Sequence, residues 1–169
     1  MTITMKQLQS TFSKAVLRRK EECAEVITLI EAFIAHYKTS LEMEQPYITK
    51  SVNSSHVDDA IERVKFEMKS PIYCKVNLSE CEGNNANYGV FIPFSLEVII
   101  GNETQDEPFI KVSCKLEMSK EYGRFYFNVS GNILDIKING EPAQFDKACE
   151  LINEEFLGQC SKQLPFSYY

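Results

Sequence analysis

An α+β two-layer sandwich is the fold class this chain predicts, on three observations. Residues 5–41 carry one apolar stripe at helical spacing, residues 72–139 alternate apolar and polar side chains at period two, and residues 143–157 return to helical spacing. Each strand of the middle block offers one apolar face, so the sheet needs a single cover, which the helices supply. The expected order is α-α-β-β-β-β-β-α. That is a five-stranded antiparallel meander covered by helices, in one domain spanning residues 1–169.

The long N-terminal helix is expected over residues 4–42. Met5, Leu8, Phe12, Val16, Cys23, Val26, Ile27, Ile30, Phe33, Ile34, Tyr37 and Leu41 stay in phase at about 100° per residue. Thr4 and Gln7 fit a capping box, with Ile3 and Leu8 at the positions of a hydrophobic staple. At about 1.5 Å per residue the helix is roughly 55 Å long. A domain of this size is only about 40 Å across. The helix therefore overhangs the body, bends near residues 18–22, or packs against a second copy. Arg19 is the charge at the centre of the stripe, where an unpaired guanidinium costs several kcal/mol if dry.

A second helix is expected at residues 56–69, capped by Ser55, with Val57, Ile61, Val64 and Met68 as its buried stripe and Ser70-Pro71 as its stop. The sheet follows over residues 72–139. In its first strand Ile72, Cys74, Val76 and Leu78 face inward against Tyr73, Lys75 and Asn77. The second covers residues 90–100, and Pro93 inside it argues for an edge or a bulge. The third runs over 109–118, then a turn at 120–123 leads to 125–130. Gly131-Asn132 turns into the last strand, where Leu134, Ile136 and Ile138 face inward. Lys75, Lys111, Ser113, Lys115, Glu117, Asn128, Ser130, Asp135 and Lys137 fall on the opposite, wet face. The C-terminal helix is expected at 143–157, with Phe145, Ala148, Cys149, Ile152 and Phe156 inward and Gly158 as its cap. The aromatic tail 164–169 is expected to dock.

Composition narrows the function classes. The apolar runs are all too short to cross a bilayer, which needs about 20 residues. Six cysteines invite a disulfide reading. However, Cys23, Cys74, Cys114 and Cys149 occupy apolar faces, and the sequence carries no secretory signal, so reduced thiols in the cytoplasm are expected. Residues 1–20 hold five basic groups and no acid, whereas the remaining residues hold 13 basic and 24 acidic, a net of −11. A basic helix on an acidic body is a weak nucleic-acid signal, and nucleic-acid binding is not expected.

Chemistry-bearing patterns are scarce. The glycines are scattered at turns, the two histidines lack metal-ligand spacing, and no cysteine pair has the two-residue spacing of a zinc or redox site. His56, at a predicted helix start beside Asp58 and Asp59, reads as a surface residue in a helix cap, with a tuned base as the alternative, and no nucleophile can be assigned to it. No catalytic, metal or cofactor site is therefore expected. The expectation is a small acidic protein-binding protein of the inhibitor, immunity or chaperone-adaptor kind. Its interface comprises Phe12, Val16, Arg19 and Cys23, and its partner is another protein, with homodimerisation through the N-terminal helix foremost. The alternative is a small-molecule or enzymatic site between sheet and helices, lined by Phe91, Phe94, Phe109, Phe125, Tyr126 and Phe127.

Overall fold

The computed structural model describes residues 2–44, 46–49, 60–75, 88–101, 110–138 and 142–163. Its first element is α1 (Met5–Ser40), a single unbroken helix. Thr4 opens it with the expected capping box. The Thr4 hydroxyl accepts from the Gln7 N–H, and the Gln7 side chain accepts from the Thr4 N–H at 2.8 Å. Two donors that the helix leaves unsatisfied are thereby paired.

The main sheet is antiparallel and has six strands. They are β3 (Val64–Met68), β4 (Ile72–Lys75), β5 (Tyr88–Ile100), β6 (Ile110–Glu121), β7 (Arg124–Val129) and β8 (Asn132–Ile136). Strands β4 to β8 form the predicted five-stranded meander, and β3 is one more, paired to the same edge of β5 as β4. A separate ribbon pairs β1 (Tyr47–Thr49) with β2 (Ala60–Glu62). Two-residue turns join β6 to β7 and β7 to β8. Tyr122-Gly123 and Ser130-Gly131 all have positive φ, the turn geometry that matches strand twist. The chain then makes a short 3-10 turn (Pro142–Phe145) and ends in α2 (Asp146–Gln163).

Helices α1 and α2 cover one face of the sheet. Val26, Ile30, Phe33 and Tyr37 of α1 and Ala148, Cys149, Ile152 and Phe156 of α2 are buried against Val90, Ile92, Phe94, Leu96, Met118 and Phe127. Phe33 is the hub, with the rings of Tyr37, Phe66, Phe94, Phe127 and Phe145 centred 4.6–6.2 Å from its own. On the other face Lys111, Ser113, Lys115, Ser130, Asp135 and Lys137 are exposed, and Glu117 and Asn128 are half-buried. The side chain of Lys75 lies outside the described residues.

Five expectations are corrected. The helix predicted at 56–69 is strand from Ala60 to Glu62 and again from Val64 to Met68. Val64 and Met68 satisfy both periods, and Phe66 decides between them. A helix would strand Phe66 opposite the stripe, whereas β3 places it against Phe33, Tyr37 and Phe94. Residues 57–59 and His56 lie outside the described set.

Pro93 is not at an edge, since β5 is paired on both sides. Its carbonyl accepts from Lys69 N–H, so its nitrogen faces the same side, where the neighbouring chain breaks between β3 and β4. The missing donor meets a gap in the ladder.

The phase of β4 is the reverse of the predicted one. Tyr73 pairs with core-facing Val90, while Ile72 pairs with Phe91 on the outer face and is 47% exposed. Ile138 lies beyond the end of β8 and is exposed. Gly158 does not cap α2, which continues to Gln163. The Gln159 amide holds those last turns by donating to the Ser113 carbonyl and accepting from the Ser113 N–H. That stretch of β6 lies beyond the reach of β7, so the glutamine pairs backbone that the sheet leaves open.

Candidate interaction surface

The stripe on α1 divides into two halves that share one phase but differ in cover. Val26, Leu29, Ile30, Phe33 and Tyr37 are buried. Met5, Leu8 and Phe12 are 68%, 53% and 69% exposed, and Ile3 just ahead of the helix is 64% exposed. Of the four residues assigned to an interface from sequence, Phe12 is bare and Val16 is half-buried. Arg19 and Cys23 lie where the helix meets the body.

That junction is built from β4 and β6. The Arg19 guanidinium sits 5.9 Å from the centre of the Tyr73 ring, a cation–π contact. Cys23 hydrogen-bonds with Tyr73; burial and this bond raise the Tyr73 phenol above its ordinary range, and Arg19 opposes the shift. One step along, Lys120 pairs with Glu25 at 2.6 Å and lies over the Phe125 ring. Arg19 thus has an aromatic partner in its own chain, where the sequence pointed to either water or a carboxylate on a partner. Lys120 was legible in principle. It continues the inward phase of Ile110, Val112, Cys114, Leu116 and Met118, so an ammonium on the covered face required an acid from above. Tyr73 was hidden by the reversed phase of β4.

Beyond Arg19 the helix extends about 20 Å to Met5. Every charged residue there is basic (Lys6, Lys14 and Arg18, with Lys20 just inside the junction), and the first turn holds no acid. The first acids are Glu21 and Glu22, and Glu22 accepts from Arg18 at 3.4 Å. The overhang is therefore an apolar strip with a basic back.

Other polar clusters tie the layers together. Cys114 on β6 and Ser130 in the β7–β8 turn both donate to Glu155 of α2, and Cys114 lies 3.3 Å from Ser130. Burial pushes the Cys114 thiol up to about 12, with a smaller contribution from Glu155. A thiol nucleophile acts as its thiolate, so this one is inert near neutrality. His36 meets Asp146 at 2.9 Å, and Tyr37 donates to Asn153 at 3.0 Å, each joining α1 to α2. Cys23, Cys114, Cys149 and Cys160 are unbridged; Cys81 and the side chain of Cys74 lie outside the described residues.

Among the described residues no group of three His, Cys, Asp or Glu is placed to hold a metal. No helix there is long and apolar enough to cross a membrane. Between the layers, where a ligand chamber was the alternative expectation, the rings of Tyr37, Phe94, Phe127 and Phe145 surround Phe33; Phe109 of the expected lining lies outside the described residues. Phe91 and Tyr126 of that expected lining point to the outer face instead. Open clefts lie at the periphery of the described residues. One, of about 440 Å³, is lined by Lys38, Glu42, Met43, Tyr47 and Glu62; another, of about 520 Å³, lies along β8 by Arg124, Asp135 and Lys137. No family model, curated protein or solved structure matches the chain.

Proposed function

We infer that this is a protein-binding protein without catalytic activity, of the inhibitor, immunity or adaptor kind, which docks through the overhanging half of α1. The observation that carries the reading is the continuity of the stripe. Met5, Leu8 and Phe12 repeat the spacing that buries Val26, Ile30 and Phe33 lower on the same helix, yet they remain uncovered. Soluble proteins seldom leave such a strip bare unless it binds something. The four described cysteines are unbridged, which suits the reducing cytoplasm expected from the sequence.

The test is a photo-crosslinking amino acid introduced at Phe12 and, as control, at Lys137 on the outer face of the sheet. Discrete protein adducts from position 12 and none from position 137 are expected in cells of the source organism. Absence of adducts at position 12, with the protein folded and abundant, overturns the reading.

A further inference from the structure

We propose that the occupant of the overhang is a second copy of this chain, set antiparallel about a two-fold axis near Phe12. The proposal rests on the docking role assigned to this helix. Three observations carry it: the direction of the bare face, its extent, and the charge at its two ends.

Direction comes first. Because the stripe holds its phase, the bare half faces the layer that the sheet occupies under the other half. Helix and sheet therefore form a step about 10 Å deep. A flat membrane approaching that face meets the end of the sheet before it reaches Phe12. A single helix fills the step, because packed helices lie about 8–10 Å apart. The second copy offers such a helix. Two identical steps interlock, each overhang lying under the other and each helix start reaching toward the other's sheet.

Extent agrees. The exposed parts of Ile3, Met5, Leu8 and Phe12 amount to on the order of 500 Å² per copy. Two copies hide about 1,000 Å² of apolar surface, and the flanking side chains carry the total into the range of stable interfaces. The seam brings Leu8 opposite Val16, Met5 opposite Arg19 and Phe12 onto itself.

Charge sets the register. Residues opposed across this seam have numbers summing to about 24, so Glu22 of one copy falls just ahead of the helix start of the other, near its N-cap Thr4. Glu22 and Thr4 lie on the same flank of the helix, five turns apart. The first turn carries the positive end of the helix dipole and no acid of its own. Glu22, which already accepts from Arg18 of its own helix, brings a carboxylate to that end of the other copy. Lys6, Lys14 and Lys20 lie off the seam, on the flank and back of the helix, while Arg18 shares the flank of Glu22 and is paired with it.

Sedimentation of the purified protein at 1–100 µM (roughly, a range bracketing weak helix seams) is the test, combined with mapping of crosslinks from position 12. A dimer is expected, with crosslinks landing near residues 8–16 of the second copy. Phe12→Asp should weaken it by about 100-fold or more. Glu22→Lys should weaken it by several-fold, and Lys137→Asp should leave it unchanged. Melting temperatures at the lowest concentration should agree among wild type, Phe12→Asp and Lys137→Asp, because Phe12 and Lys137 are exposed in one copy; Glu22→Lys also removes the pair with Arg18 inside one copy and is read by dimer affinity alone. A monomer at every concentration whose position-12 probe captures other proteins in cells overturns the second copy and leaves the docking role standing. A monomer that captures no protein overturns both. If that monomer instead co-sediments with phosphatidylserine vesicles, the overhang is a lipid anchor and both are again overturned. A dimer unaffected by Phe12→Asp overturns the proposal as well.

Discussion

Cys114 illustrates how a side chain can look reactive in composition and be inert in place. Burial pushes its thiol up to about 12 and that of Cys149 up to about 11, from an ordinary 9.0. A group whose folded value is raised holds its proton in the native state after the unfolded chain has lost it. Its contribution to stability is complete below pH 9 and declines as pH rises from there toward the folded values. Urea unfolding at several pH values should therefore show wild type losing stability above pH 9, and Cys114→Ala/Cys149→Ala losing less over the same interval. Parallel profiles would contradict the assignment. Both cysteines were legible as apolar-face residues, because their spacing matches the inward phase of β6 and α2. The bond from Cys114 to Glu155 was not, since it joins residues far apart in sequence through a turn whose geometry only the fold sets. Arg19 was singled out correctly as a charge in an apolar stripe, but its contact with Tyr73 was missed. Ile72, Cys74 and Tyr73 are all compatible with an inward face, and pairing with β5 made the choice.

Elements whose length spans several periods were the readable ones. The capping box, the thirty-six-residue run of α1 and the five-strand meander follow from patterns repeated often enough to exclude alternatives. Short segments were decided elsewhere. In β3, Val64 and Met68 fit helix and strand alike, and the aromatic cluster around Phe33 selected the strand. Glycine shows the same division. Gly131 sits at φ 95° in a tight turn, whereas Gly158 lies within α2 with open space where a Cβ would project. Substitution by alanine should then have opposite signs at the two sites. Gly158→Ala should stabilise by about 0.5–1 kcal/mol through helix propensity, and Gly131→Ala should destabilise by about 1 kcal/mol or more. Thermal or urea unfolding reads both. Destabilisation by Gly158→Ala would restore the cap reading.

The whole molecule is asymmetric in cover and in charge. A basic, acid-free arm projects from an acidic body, and the arm's apolar face continues the interface that its other half makes with the sheet. That the helix is longer than a domain of this size can cover was evident from length alone. Where it overhangs was not, because the answer depends on which end of the sheet Glu25 and Lys120 clamp. The most direct test is amide hydrogen exchange along α1, followed at low and at high protein concentration. At low concentration the amides of residues 5–16 should exchange orders of magnitude faster than those of residues 26–37, since only the latter are held by tertiary packing. Raising the concentration should protect residues 5–16 while leaving residues 26–37 unchanged. Equal protection of both halves at every concentration would mean that the body already covers the N-terminal half, and would contradict a docking role for it.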